Sequence, residues 1–274
     1  MSNVRPNYVF FGSPKFAVAV LKPLIDAGME PAALVANPAR PKGRKKILTE
    51  PLTKQFIKDL NLPVVVYQPE NPKDIVVALT ELKPDFFVVA AYAKIIPKEV
   101  LVLARLGAIG IHPSLLPKYR GASPIQSALL AGEEDSGVTA YLLDEKMDNG
   151  PILDRRGAKV KDLNYEEAEE KLGTLGGEML VALVPKFMTG ELMAEPQDSA
   201  AATFTKKFTA EDGFIDMEKS TAEEILRKIR ALNPEPGAWT VEKGKRMKLL
   251  DAEINDGHLQ LKKIQLEGKK PRLL

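Results

Sequence analysis

His112 is one of only two histidines in this chain. It lies in Ile111-His112-Pro113-Ser114-Leu115-Leu116-Pro117-Lys118-Tyr119-Arg120-Gly121. A strand over 108–111 hands the imidazole to a loop rich in proline and glycine, where side chains meet ligands rather than core. A second turn, Leu143-Asp144-Glu145-Lys146-Met147-Asp148-Asn149-Gly150, offers a carboxylate, Asp148, able to orient that ring or pair with its charge. An imidazole held by a carboxylate is a proton acceptor. The competing reading is a surface histidine beside an unrelated turn.

The elements that must bring these turns together are legible in outline. Tyr8 to Phe11 is an apolar strand, followed by a helix from Phe16 to Ala27 that Gly28 closes. Strands are expected at 33–36, 63–67, 86–90, 106–111 and 137–143, with helices at 54–60, 72–82 and 124–131. Continuous apolar strands alternating with helices predict a doubly wound α/β domain with a mostly parallel, Rossmann-like sheet. A long helix over 165–188 carries Ala168, Leu172, Leu175, Met179, Leu183 and Phe187 at three- and four-residue steps, a core stripe. Asn164 is expected to cap it, with Glu167 returning the contact. The polar, small residues around 196–202 read as a linker between a body at 1–195 and a tail at 203–274. In the tail, a helix over 222–231 precedes short strands near 239–241, 246–254 and 259–266, the pattern of a small barrel.

Composition narrows the chemistry. The chain has 274 residues, 45% hydrophobic and 28% charged, enough for one large domain and a smaller one. It has no cysteine, which excludes disulfides, thiolate metal sites and a cysteine nucleophile and fits a reducing compartment. No apolar run reaches the ~20 residues of a membrane span, and the short polar start has no signal-peptide stretch, so a cytoplasmic protein is expected. The first turn, Gly12-Ser13-Pro14-Lys15, is not G-x-G-x-x-G, so a dinucleotide is not expected. There is no P-loop, and two histidines outside any ligand cluster leave no metal site. Charge is uneven: Arg40 to Lys54 holds six Lys/Arg and one Glu, while residues 1–200 are net −1 and 201–274 net +3. A basic loop and a mildly basic tail suit a polyanion, although a solvated charged face would look the same.

His112-Pro113-Ser114-Leu115-Leu116-Pro117-Lys118-Tyr119-Arg120-Gly121-Ala122-Ser123-Pro124-Ile125-Gln126 resembles the active-site segment of the 10-formyltetrahydrofolate-dependent formyltransferases. Asp144-Glu145-Lys146-Met147-Asp148-Asn149-Gly150 resembles their second signature. Phe11 to Ala17 and Val88 to Pro97 are similar to the family's opening turn and central strand. The basic run Asn37 to Lys46 and the segment Leu232 to Trp239 resemble members that act on an aminoacylated tRNA. The resemblance covers roughly residues 8–270 and implies a C-terminal OB-like β-barrel domain. The chain stops soon after Gly268-Lys269-Lys270, earlier than the resemblance implies, so the last barrel strand is expected to be missing or replaced.

The implied reaction moves a formyl group from 10-formyltetrahydrofolate to the α-amino group of methionine on initiator methionyl-tRNA. His112 and Asp148 would be catalytic. The resemblance also implies an asparagine two residues before the histidine, its amide aimed at the formyl oxygen; here that position is Gly110. Loss of such a donor costs roughly 10²–10³ in rate, so reduced activity is expected. Asn149 is a candidate substitute donor, a bound water another, and Gly110→Asn is expected to raise the rate of an impaired site. By resemblance the folate pocket draws on Ala90, Ala91, Tyr92 and Ile95, on Ser114, Leu115, Leu116 and Pro117, and on Leu143, Asp144 and Glu145. Arg40, Arg44, Lys45 and Lys46 are candidates for the tRNA acceptor stem, and Lys207, Lys245 and Arg246 for phosphates beyond it. A monomer is expected. The alternatives are an amino-sugar-nucleotide N-formyltransferase, or a catalytically impaired folate- or tRNA-binding homologue.

Overall fold

Strand β1 (Tyr8–Phe11) is apolar at every position, and all four side chains are fully buried, as a parallel strand covered on both faces requires. The computed structural model describes residues 6–42 and 46–274. Six more strands join β1: β2 (Ala33–Val35), β3 (Val65–Tyr67), β4 (Phe86–Ala90), β5 (Ala108–His112), β6 (Asp135–Leu142) and β7 (Ile152–Lys159). Their order is β7-β6-β5-β4-β1-β2-β3. Strands β1 to β5 pair in parallel, and β6 runs antiparallel to β5. The chain winds outward from β1 to β2 and β3, then returns to β4 on its other side. The carboxyl ends of β1, β4 and β5 therefore flank the switch point, where open α/β sheets bind ligands.

The crossovers are α1 (Lys15–Asp26), α2 (Leu52–Asp59), α3 (Val76–Leu82) and a short α4 (Lys98–Leu101). A 3₁₀ turn at Pro72–Ile75 leads into α3, capped reciprocally by Asn71 and Asp74. Val9, Phe11, Val35, Leu79, Phe87, Tyr92 and Val100 form one apolar cluster, with the Phe11 ring edge-on to Phe87 and Tyr92. Sequence patterning missed several elements, the short helix α4 among them. The basic loop after β2 contains a hairpin, Arg40–Lys42 with Ile47–Thr49. Strand β7 carries Asp154, Arg155, Arg156 and Lys159, charges that hide its alternation.

The chain divides into two compact units, Met1–Lys118 with Gly137–Gly157 and Glu169–Ala202, and Tyr119–Ser136 with Ala158–Ala168 and Thr203–Leu274. Helix α5 (Pro124–Ala131) belongs to the second. Helix α6 (Tyr165–Thr189) buries Ala168, Leu172, Met179, Leu183 and Phe187 of the expected stripe, with Leu175 half-buried. Its start is capped as expected: the Glu167 amide donates to Asn164 Oδ1 (3.0 Å) and the Asn164 amide to Glu167 Oε2 (2.8 Å).

In the second unit, helix α7 (Ala222–Leu232) packs Ile225, Leu226 and Ile229 onto Met247, Leu249, Ala252 and Ile264. Those four belong to an antiparallel sheet of linear order, β8 (Trp239–Glu242), β9 (Lys245–Asn255), β10 (His258–Leu266) and β11 (Arg272–Leu273). An OB-like barrel with its last strand missing or replaced was expected here; the described strands are antiparallel, as expected, in a four-stranded sheet of linear order. Asn233 ties the connection from α7 to β8: its Nδ2 donates to the carbonyls of Ile229 and Leu249, and its Oδ1 accepts from the Ala238 amide.

Candidate active site

His112 ends β5 and is only 6% exposed. The loop behind it is pinned by Thr139, which lies opposite His112 on β6. Thr139 Oγ1 donates to the Ser114 carbonyl (2.7 Å) and accepts from the Leu116 amide (3.1 Å). Ser114 Oγ donates to the Lys118 carbonyl (2.7 Å). The backbone that presents the imidazole is thus held by hydrogen bonds within one unit.

Asp148 arrives from the turn after β6, with Oδ2 3.7 Å from His112 Nδ1. That is ion-pair range for a protonated ring, long for a direct hydrogen bond. Asp148 has φ +51°, a left-handed conformation that aspartate tolerates better than most side chains. The turn closes through Gly150, where a Cβ would overlap the Leu142 carbonyl oxygen. Gln197 braces it, its Nε2 donating to the carbonyls of Asp148 (3.0 Å) and Gly150 (2.8 Å). Glu195 exchanges two backbone hydrogen bonds with Ile152. The segment read as a linker therefore packs on the site.

Sequence reasoning missed Tyr141. Its phenol donates to Asp148 Oδ1 at 2.7 Å, and its ring is 7% exposed among Leu116, Ile152 and Leu143. Burial first, and then the Asp148 charge, push its ionisation well above 10, so the phenol stays a donor. Tyr141 lies opposite Gly110 in the β5–β6 register. A Cβ built on Gly110 would fall 2.5 Å from Tyr141 Cε1 and 2.6 Å from Leu143 Cδ1. A side chain at position 110, the asparagine of Gly110→Asn included, would require the Tyr141 ring and the Leu143 side chain to move. Asn149, the suggested substitute donor, gives its amide to Asp144 Oδ2 at 2.9 Å. The signal for Tyr141 was its strand position, which needs the antiparallel register to be read.

The other candidates are distributed as follows. Ala90 pairs with Ile111, so Ala91 and Tyr92 emerge beside the end of β5. Ala91 has φ +48°. Tyr92 Oη is buried with no hydrogen-bond partner among the described residues, and burial raises its pKa to about 12. An orphaned hydroxyl at a strand end fits a polar ligand that completes it. Ile95 is 91% exposed, an apolar side chain at the surface of this edge. Ser114 and Leu116 are buried, Leu115 and Pro117 half-buried, Asp144 and Glu145 exposed, with Glu145 3.5 Å from Lys98. Among the described residues no group of His, Cys, Asp or Glu could hold a metal ion.

Of the basic residues, Arg40 pairs with Glu70 (3.3 Å) and Lys46 stands exposed beside Ile47 and Leu48, both more than 60% exposed. Arg44 and Lys45 lie outside the described residues. In the second unit, Lys207 and Lys245 are exposed, and the Arg246 guanidinium lies 4.1 Å from the Trp239 ring centroid.

Residues 6–184 match the family model for formyl transferases, and 207–263 match that for the formyl transferase C-terminal domain. The chain is 39% identical over 253 residues to the methionyl-tRNA formyltransferase of Thermodesulfovibrio yellowstonii, covering 91% of this chain and 81% of the relative. It is 42% identical over 252 residues to that of Chloroflexus aurantiacus, covering 90% and 79%. Among solved structures, methionyl-tRNA formyltransferase from Clostridium thermocellum superposes with TM-score 0.63 at 17% identity, covering 95% of this chain and 98% of that one. HypX from Aquifex aeolicus in complex with tetrahydrofolic acid gives 0.69 at 18%, covering 98% of this chain and 46% of that one. The two structural likenesses establish the fold.

Proposed function

The chain belongs to the formyl transferase family, and from that premise we propose that it is a methionyl-tRNA formyltransferase, as its relatives at 39–42% identity are named. It transfers the formyl group of 10-formyltetrahydrofolate to the α-amino group of methionine on initiator methionyl-tRNA. The observation that carries the site assignment is the pair His112 Nδ1 and Asp148 Oδ2 at 3.7 Å, drawn from two separate turns.

The folate co-substrate supplies an electrophilic formyl carbon bound to N10. The bond to N10 breaks, one to the methionyl nitrogen forms, the amine gives up a proton and N10 gains one. His112 is the proton acceptor, and Asp148 holds the ring and offsets the charge it acquires. Ala90, Ala91 and Tyr92 bound the folate side, where the Tyr92 hydroxyl without a partner supports a polar heterocycle as occupant. Leu115, Pro117 and Ile95 cover it, while the buried Ser114 and Leu116 shape the loop from beneath. Arg40, Arg44, Lys45 and Lys46 meet the acceptor stem, and Lys207, Lys245 and Arg246 meet phosphates. The matches at 6–184 and 207–263 support a catalytic domain at 1–195, a linker at 196–202 and a tRNA-binding domain at 203–274. No described helix is long and apolar enough to cross a membrane. A cytoplasmic monomer is part of the same reading.

The test is transfer of labelled formyl from 10-formyltetrahydrofolate to initiator methionyl-tRNA, with amino-sugar nucleotides as competing acceptors. Product on methionine alone supports the reading. Product on the sugar alone sinks it.

A further inference from the structure

The carboxylate of Asp148 bridges two side chains: Oδ1 accepts from the Tyr141 phenol at 2.7 Å, and Oδ2 faces His112 Nδ1 at 3.7 Å. We propose that Tyr141 is a positioning residue of the active site, fixing Asp148 against His112, and that Gly110 and Tyr141 are a matched pair in which the ring needs the glycine. The positioning half rests on the formyl-transfer reading above; the pairing half does not.

Geometry carries the pairing. Residues directly opposite on antiparallel strands project to the same face, and Gly110 and Tyr141 are such partners. A Cβ at position 110 would meet Tyr141 Cε1 at 2.5 Å and Tyr141 Cζ at 2.7 Å. The ring cannot swing aside cheaply, because it packs on Leu116 and Ile152 and its hydroxyl is tied to Asp148. The volume beside His112 on β5 is therefore filled from β6.

Chemistry carries the positioning. A carboxylate on a turn with φ +51° has several rotamers available, and a buried charge-assisted donor selects one. The phenol stays protonated, so the selection holds wherever the enzyme works. Asn149, the other amide in the turn, is engaged with Asp144. The space Gly110 leaves open is filled by the Tyr141 ring, whose single O–H is given to Asp148.

Four proteins test this: wild type, Tyr141→Phe, Gly110→Asn and Gly110→Asn/Tyr141→Val. Formyl transfer (kcat and both KM values) and melting temperature are measured for each. Tyr141→Phe keeps the ring, so the melting temperature shifts by a few degrees at most. Its kcat should fall roughly tenfold or more, with both KM values nearly unchanged, as expected when one hydrogen bond to a charged group is removed. Gly110→Asn should lose both melting temperature and activity, and the double variant should regain part of each, a non-additivity that neighbouring residues show. A wild-type kcat in Tyr141→Phe overturns the positioning role. A double variant no more stable than Gly110→Asn overturns the pairing. An inactive wild type would sink the formyl-transfer reading and the positioning role with it, while melting still decides the pair.

Discussion

Gly110 and Tyr141 face each other across β5 and β6, and the tyrosine ring occupies the space that any side chain at position 110 would need. The smallest probe is Gly110→Ala. One added carbon in a packed interior costs about 1–3 kcal/mol, which denaturant unfolding would register as a lower midpoint at unchanged slope. Formyl transfer should fall with it, since the displaced ring carries Asp148. An alanine variant as stable as the parent would show that the ring yields freely.

His112→Asn removes the proposed proton acceptor while keeping a polar side chain at a buried strand end. A general base contributes typically about 10²–10⁴ in rate, so kcat should drop by that order while melting temperature changes little. Asp148→Asn should also lower kcat, yet keep an oxygen for Tyr141 to donate to. If Asp148→Asn retained full activity, the carboxylate would have no part in the chemistry.

Gln197 reaches from the segment before the tail and holds the carbonyls of Asp148 and Gly150. Gln197→Ala removes both hydrogen bonds, about 1–2 kcal/mol of stability. The turn that presents Leu143 and Asp148 should loosen, raising KM for the folate. Steady-state kinetics with tRNA saturating would check this; an unchanged folate KM would separate the turn from the pocket.

Burial holds Tyr92 and Tyr119 at about 12 and Tyr141 well above 10. In the unfolded chain all three ionise near about 10. Between pH 10 and 12 the unfolded state thus binds fewer protons than the folded one, and stability falls as pH rises. The contribution is fully present below pH 10. The unfolding free energy should decline across that window, and less steeply in Tyr141→Phe, by up to about 1.4 kcal/mol per pH unit. An equal slope in the variant would contradict the buried, protonated phenol.

The hairpin after β2 offers Arg40 and Lys46 on a strongly exposed strip. Replacing both by alanine should raise KM for tRNA and flatten its salt dependence, because each cation withdrawn from a phosphate lowers the slope by about one counterion. The folate KM should stay put. Parallel salt titrations of parent and variant decide it.

The chain's own order of residues determined much of this protein. The apolar runs at Tyr8–Phe11 and Phe86–Ala90 are the buried strands expected of them, and the Asn164–Glu167 cap and the stripe of α6 follow from local spacing. His112, at the end of β5, and Asp148, in the turn after β6, were singled out from the sequence and stand 3.7 Å apart. The charged strand β7 and the hairpin within the basic loop were not legible, since their pairing is made with distant chain and their own patterns are mixed. What only the tertiary structure decided is the meaning of Gly110. Read along the chain it is a missing donor; read across the sheet it makes room for Tyr141. Register between strands is set by pairings some thirty residues apart, and no local periodicity encodes which side chain will stand opposite a glycine.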